Sequence, residues 1–125
     1  MLTLQILPQQ LTVCKVPDLS GFAMSGLVFI GHTDSELSLV CQTNKTPANT
    51  VAREDGWRAM RVVGTLDFSL TGILSGIATA LADAKIGIFA VSTYDTDYIL
   101  VKQENLDRAV EALKEAGYGF IARMP

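Results

Sequence analysis

Histidine and cysteine are scarce in this chain, which has one histidine and two cysteines among its 125 residues. Cys14 and Cys41 stand 27 residues apart, and His32 precedes Cys41 by nine residues. This spacing matches no zinc-binding pattern. Both cysteines lie in apolar segments, where buried free thiols are expected rather than a disulfide. The sequence therefore predicts neither a metal site nor a cofactor.

Long apolar runs and clusters of basic residues are lacking as well. No apolar run reaches the roughly 20 residues that a membrane helix needs, and residues 1–5 have neither the basic start nor the apolar core of a signal peptide. The net charge is −3 and no run of more than two basic residues occurs, whereas nucleic-acid binding needs clustered Lys and Arg. We therefore expect a cytoplasmic protein that binds neither membrane nor nucleic acid.

What the chain does have is enough apolar material for a core. Hydrophobic residues make up 49% of the sequence and charged residues 18%, in a length common for one domain. We therefore expect a compact globular protein.

Residues 67–117 predict a loop, a helix, two strands joined by a polar turn, and a second helix. The strands are predicted at 86–91 and 98–101, at hairpin distance. The second helix is predicted at 104–116 and ends at Gly117, a residue suited to a left-handed cap. Helical spacing in the first helix is carried by Leu70, Ile73, Leu74, Ile77, Leu81 and Ala84.

Two further strand candidates flank this stretch, at residues 57–63 and 119–122. The complete order is then βαββαβ, which is the order of the ferredoxin-like α+β fold. In that fold the two helices pack on one face of a four-stranded antiparallel sheet. The other face, or an edge strand, needs a cover, so we expect a protein partner.

Several segments resemble the ACT domain, a family of small modules that bind amino acids and regulate enzymes. Residues 67–74 resemble the family's loop in which an acidic residue precedes a Gly and an Ile-Leu helix start, and residues 84–88 resemble its helix-to-strand turn. More narrowly, residues 56–62, 66–72 and 92–101 resemble the short double-ACT proteins related to the CASTOR arginine sensors and to aspartate kinase regulatory regions. The resemblance is strong over 54–118. It implies a site between two ACT units.

The N-terminal half contains a faint internal repeat. Residues 33–42 can be aligned with residues 94–103 at a constant offset of 61, since both segments read Asp, hydroxyl residue, acid, and then a strand. A duplicated unit would explain this pattern. Chance is the alternative, because short polar hairpins draw on few residue types.

A duplication would divide the chain into two tandem ACT-like units that pack together as one globule. We expect a degenerate unit at residues 1–55 and an ACT domain at 56–125, with residues 2–7 as a further strand candidate. The hairpin of the degenerate unit is not expected to bind ligand as a close equivalent. Its opening strand, its shortened helix or loop, its hairpin and its stunted second helix are predicted at 11–16, 17–26, 27–40 and 47–54.

An amino-acid ligand presents an ammonium and a carboxylate. A receptor offers acids or carbonyls to the first and backbone N–H groups, ideally at a helix start, to the second. A glycine at the helix start lets a ligand approach the backbone. The neighbouring hairpin supplies negative charge. The candidate ligand-binding residues are Asp67, Leu70, Thr71, Gly72, Thr93, Asp95, Thr96 and Asp97.

Each acidic candidate has a structural alternative. Asp95 and Asp97 can be ordinary turn residues, and Asp67 can cap the helix. We also expect the loop after the first strand and the hairpin turn to lie at different ends of one unit. A site that uses both would then form between two units.

Three classes of function are compatible with these features. The first is a non-catalytic amino-acid sensor that forms a homodimer or docks onto a separate metabolic enzyme, with ligand shifting the population of its arrangements. The second is a structural or protein-interaction module without ligand. The third is an enzyme that uses Asp95-Thr96-Asp97 as a metal-diphosphate pattern. The chain lacks a phosphate-cradling glycine loop and a paired nucleophile and base, so we expect no enzyme.

Overall fold

The computed structural model describes residues 2–64 and 72–121. The chain folds into two units: an inserted unit of residues 9–57, and an outer unit of residues 1–8 and 58–125 that surrounds it in sequence. Among the described residues, no helix has the length and apolar character needed to cross a membrane.

Within the described ranges, the elements are eight strands, two α-helices and two short 3-10 turns. The strands are β1 (Thr3–Ile6), β2 (Leu11–Lys15), β3 (Phe29–His32), β4 (Leu37–Gln42), β5 (Ala52–Val62), β6 (Phe89–Ser92), β7 (Asp97–Lys102) and β8 (Gly119–Ile121). The helices are α1 (Ile73–Asp83) and α2 (Leu106–Glu115), and the 3-10 turns are Thr43–Lys45 and Gln103–Asn105.

The outer unit has the predicted βαββαβ order, formed by β5, α1, β6, β7, α2 and β8. This confirms the ferredoxin-like α+β fold. One difference concerns β1, which lies between β5 and β8, antiparallel to the first and parallel to the second. The described strands of this unit therefore form a sheet of five, in the order β8-β1-β5-β7-β6, rather than one of four antiparallel strands. Fully buried Leu4 gives β1 its place in the core, opposite Val62.

Both helices of the outer unit contribute to one hydrophobic core. Ile77 and Leu81 are the buried residues of α1, and Leu106, Ala109 and Leu113 are those of α2. This agrees with the helical periods read from the sequence. On the sheet side the same core contains Leu4, Met60, Val62, Ile99 and Val101.

Each helix is followed by a residue with positive φ. The next residue then donates a backbone hydrogen bond to a carbonyl of the last helical turn. After α2, Gly117 has φ +101°, and Tyr118 N donates to Leu113 O at 3.0 Å, as the sequence predicts for a left-handed cap. After α1, Lys85 takes this position with φ +62°, and Ile86 N donates to Leu81 O at 3.0 Å.

The inserted unit has the strand order β3-β4-β2-β5, and all three pairs are antiparallel. Apart from β1, this is the order found in the outer unit. No helix forms in residues 16–28, and the 3-10 turn Thr43–Lys45 takes the place of the second helix. The predicted stunted helix at 47–54 is wrong, because β5 already begins at Ala52 to pair with β2.

The core of the inserted unit contains both cysteines. Cys14 and Cys41 are buried free thiols beside Val16 and Leu39, as the sequence predicts. Burial raises the pKa of the Cys14 thiol. A raised pKa favours the protonated thiol over the thiolate, which is the reactive form.

The two hairpins repeat one geometry, with an offset of 60 rather than 61. Phe29 pairs with Val40 as Phe89 pairs with Leu100, and the same offset relates every pair of the two ladders. In both second strands three consecutive residues, 39–41 and 99–101, are buried. A shift of one residue exchanges the faces of a strand, so the alignment of Asp34 with Asp95 is wrong. Ser35 is the equivalent of Asp95.

Candidate functional site

The end of β5 meets the β6–β7 turn in the outer unit. The Thr96 hydroxyl, on a side chain only 6% exposed, donates to Val62 O at 2.7 Å. The expectation that the loop after the first strand and the hairpin turn lie at different ends is therefore wrong. Because β7 begins where β5 ends, a single unit brings the first residues of that loop, Val63 and Gly64, to the hairpin turn.

A groove of about 310 Å³ lies at this junction, and we call it the outer groove. Its described lining contains three of the predicted site residues, Thr93, Asp95 and Thr96. The other described residues that line it are Gln5, Arg61, Val62, Val63, Gly64 and Tyr98.

The β6–β7 turn is held by Thr93. Its backbone N–H donates to Thr96 O at 2.8 Å and its hydroxyl donates to the same oxygen at 3.0 Å. Asp95, at the exposed tip, has no hydrogen bond or ion pair among the described residues. This structure leaves the carboxylate of Asp95 open to a ligand.

Asp97 has a different environment from Asp95. Its Oδ1 accepts a hydrogen bond from the Ser92 hydroxyl at 2.6 Å, across the first pair of the β6–β7 ladder. Asp97 is not among the described lining residues of the outer groove. Its carboxylate thus closes the hairpin.

Arg61 supplies positive charge to the outer groove. Its Nη2 donates to Gln5 Oε1 at 2.6 Å and its Nη1 to Tyr98 Oη at 3.5 Å, with the guanidinium 5.9 Å from the centre of the Tyr98 ring. Sequence reasoning did not name this residue. Its position between buried Met60 and Val62 could have indicated it, because alternate residues of a strand face opposite sides.

The predicted helix-start residues are less completely placed. Asp67, Leu70 and Thr71 lie outside the described residues. Gly72 precedes α1 with φ +79°, and its carbonyl accepts from Gly76 N at 2.8 Å. A Cβ added at Gly72 would have no heavy atom of the described chain within 4 Å. Gly72 is not among the described lining residues of the outer groove.

The outer groove combines opposite charges within one small volume. Arg61 can pair with a carboxylate and Asp95 with an ammonium, while hydroxyl and amide groups surround them. Its volume lies near the lower end of the range of small-molecule sites. Among the described residues, no group of three or more His, Cys, Asp or Glu could hold a metal ion. The groove is therefore suited to a small zwitterion.

Comparison with known sequences gives one family match. The family model described as the ACT domain matches residues 52–115, slightly more than half of the chain. This range contains β5, both helices and the β6–β7 hairpin.

Solved structures of similar fold cover nearly the whole chain. A protein from Agobacterium tumefaciens is 29% identical with a TM-score of 0.88, and the match covers 99% of this chain and 95% of that one. The ligand-free regulatory subunit of aspartate kinase from Thermus thermophilus is 10% identical, with a TM-score of 0.64 and coverages of 91% and 96%.

A third structure is a putative C-terminal regulatory domain of aspartate kinase from Porphyromonas gingivalis. It is 16% identical with a TM-score of 0.59, and the match covers 93% of this chain and 95% of that one. The two aspartate kinase structures agree with this chain in fold. The narrower resemblance to the CASTOR arginine sensors stays a prediction.

Proposed function

Because this chain belongs to the ACT-domain family, we propose that it is a non-catalytic regulatory domain that binds a free amino acid in the outer groove. The observation that supports this most strongly is the presence of both Arg61 and Asp95 in the lining of one groove. These residues complement the two charges common to every α-amino acid. The isolated regulatory subunit from Thermus thermophilus is a precedent for such a domain as a separate chain.

In the proposed complex the Asp95 carboxylate accepts hydrogen bonds from the ligand ammonium. Arg61, already oriented by Gln5 and Tyr98, donates to the ligand carboxylate. Thr96 and Thr93 hold the turn in place instead of contacting the ligand charges. The ligand therefore meets a site whose supporting hydrogen bonds exist before binding, which lowers the entropic cost of association.

The helix start is the second part of the proposal. The chain leaves the groove at Gly64 and reaches α1 after Gly72. We propose that Asp67, Leu70, Thr71 and Gly72 also contribute to ligand binding, because N–H groups without an intrahelical partner at a helix start favour a carboxylate. Asp97 contributes indirectly, by closing the hairpin through Ser92.

In this proposal, ligand binding regulates the chain by changing how two copies of it assemble. We propose that a second copy of the chain covers the outer groove, so that the ligand lies between two ACT units and favours one arrangement of the homodimer. A ligand shifts such an equilibrium only by its difference in affinity for the two arrangements. A separate metabolic enzyme is the proposed recipient of this signal.

Thermal unfolding with a panel of the proteinogenic amino acids tests the ligand proposal. A ligand at about 100 times its dissociation constant stabilises the folded chain by about 2.7 kcal/mol, which raises Tm by several degrees. We expect a selective rise that Asp95→Asn abolishes. Asp83→Asn is the matched control, because Asp83 is an exposed carboxylate at the end of α1.

Two results would contradict the proposal. A flat panel would favour the second class, a protein-interaction module without ligand. A rise of equal size in Asp95→Asn and in the unchanged chain would place the ligand elsewhere.

A further inference from the structure

The inserted unit has a groove of its own, at the place equivalent to the outer groove. It has a volume of about 350 Å³ and lies between the end of β2 and the β3–β4 turn. We call it the inserted groove. Among the residues that line it are Lys15, Thr33 and Glu36.

The two grooves are built on the same turn. Thr33 N donates to Glu36 O at 2.9 Å and the Thr33 hydroxyl donates to the same oxygen at 3.3 Å. Thr93 makes both of these bonds to Thr96 O. The β3–β4 turn is therefore as well ordered by its own hydrogen bonds as the turn of the outer groove.

The cations of the two grooves also occupy equivalent positions. Lys15 stands between Cys14 and Val16, two buried residues of the inserted unit's core. Arg61 stands in the same way between Met60 and Val62 in the outer unit. Because side chains alternate along a strand, each opening strand directs its cation away from its own core. Lys15 is exposed at this position.

The acidic residues of the two grooves differ by one position within their turns. The inserted groove has Glu36 at the fourth turn position, whereas the outer groove has Asp95 at the third. Glu36 Oε1 accepts from the Ser38 hydroxyl at 2.9 Å, which orients the carboxylate and leaves Oε2 without a partner among the described residues. Each groove therefore has one cation and one acid in its lining.

The walls of the two grooves differ in polarity. Val16, Pro17 and Val51 line the inserted groove, and Val51 is 64% exposed. The outer groove also has two apolar residues after its cation, Val62 and Val63, but it has Gln5 beside Arg61, where the inserted groove has Val51 beside Lys15. Apolar surface removed from water by a ligand contributes roughly 25 cal/mol per Å². An aliphatic side chain therefore suits the inserted groove better than a polar one.

From these observations we infer that the inserted groove is a second ligand site, for an α-amino acid with an aliphatic side chain. Lys15 binds the ligand carboxylate, Glu36 binds its ammonium, and Pro17 and Val51 contact its side chain. The chain then carries two sites of different selectivity. This inference does not depend on ligand binding in the outer groove, because no residue is shared between the two linings.

Two-dimensional NMR of the full, ¹⁵N-labelled chain tests this inference, with L-leucine as the probe. We expect L-leucine to move the amide signals of residues 15–16 and 33–37. Two analogues separate the charges: 4-methylpentanoate lacks the ammonium and 3-methylbutylamine lacks the carboxylate. Each is expected to bind about tenfold or more weakly than L-leucine, because one charge-assisted hydrogen bond is lost.

Matched variants assign the binding to the groove. Glu36→Gln and Lys15→Gln should each weaken L-leucine binding by about tenfold. Asp34→Asn is the control, since Asp34 belongs to the same turn but is not among the described lining residues. All three positions are exposed, and the NMR spectrum itself shows whether each variant is folded.

Several results would overturn the inference. One is an absence of movement at residues 33–37 with L-leucine in the millimolar range. Another is movement confined to residues 93–98, which would place L-leucine in the outer groove. Equal affinity in Glu36→Gln and in the unchanged chain would also exclude the assigned charge pair.

Discussion

At the scale of single residues, backbone conformation makes the clearest prediction. Gly117 has φ +101°, a region that side chains with a Cβ rarely adopt. Gly117→Ala should therefore destabilise the chain by about 1 kcal/mol or more, measured by urea unfolding. Gly87→Ala is the control, because Gly87 is exposed, has no positive φ and has no heavy atom within 4 Å of a Cβ position. Equal losses in the two variants would contradict this explanation.

The candidate site shows which residue roles a sequence can indicate. Asp95 is recognisable because an acid in a polar turn suits an ammonium, and the structure leaves its carboxylate in the outer groove. Thr93 and Thr96 are recognisable for the same reason, yet their hydrogen bonds hold the turn and the strand. Arg61 escapes sequence reasoning because its partners Gln5 and Tyr98 are 56 and 37 residues away in sequence. Such contacts exist only after the sheet has formed.

At the scale of elements, local patterns predict the helices well and strand partners poorly. The apolar periods of α1 and α2 depend on residues three and four apart, so they can be read directly. The place of β1 depends on pairing with β5 and β8, more than 50 residues away, and local pattern does not encode it. The predicted repeat is one residue out of register because the alignment matches the acidic turn residues. The buried strand residues 39–41 and 99–101 give the correct register.

One contact between elements makes a second prediction. A Cβ on Gly76, in the middle of α1, would lie 2.7 Å from the hydroxyl oxygen of Tyr118, in the connection from α2 to β8. Alanine favours a helix over glycine by about 1 kcal/mol, but here the Tyr118 ring must move to admit it. Gly76→Ala should therefore be neutral or destabilising in the unchanged chain.

Removing the hydroxyl should reverse that result. In a Tyr118→Phe background the added methyl group has room, so Gly76→Ala should stabilise the chain by up to about 1 kcal/mol. A double-mutant cycle by urea unfolding measures the coupling between the two positions. Additive effects of the two substitutions would show that this contact does not determine the choice of glycine.

At the scale of the whole molecule, the two units have the same strand order apart from β1, and among the described residues both α-helices belong to the outer unit. The family match covers residues 52–115, which contain both helices. The inserted unit shares the strand order, the threonine-bonded turn, here formed by Thr33, and a groove lined by residues of both charges. Short connections stand where the outer unit has helices. The inserted unit therefore lacks the helical periodicity that is the strongest signal in the sequence. The architecture of that half is therefore readable only from strand pairing.

The proposed homodimer leads to a prediction that links ligand binding to assembly. If the amino acid selected by the thermal panel favours the dimer of this 13.5 kDa chain, the dimer must in turn favour the ligand by the same factor. Sedimentation velocity should show a lower dimer dissociation constant when ligand is present. Calorimetry should show tighter ligand binding as the protein concentration rises through that constant.

Substitution in the outer groove separates this linkage from simple self-association. Asp95→Asn should remove the effect of ligand on dimerisation while Asp83→Asn keeps it, since only the first carboxylate lines the groove. A dimer whose dissociation constant is indifferent to bound ligand would refute the coupling, because a ligand with equal affinity for two states shifts neither. A chain that stays monomeric with ligand bound would instead direct regulation toward a contact with the partner enzyme.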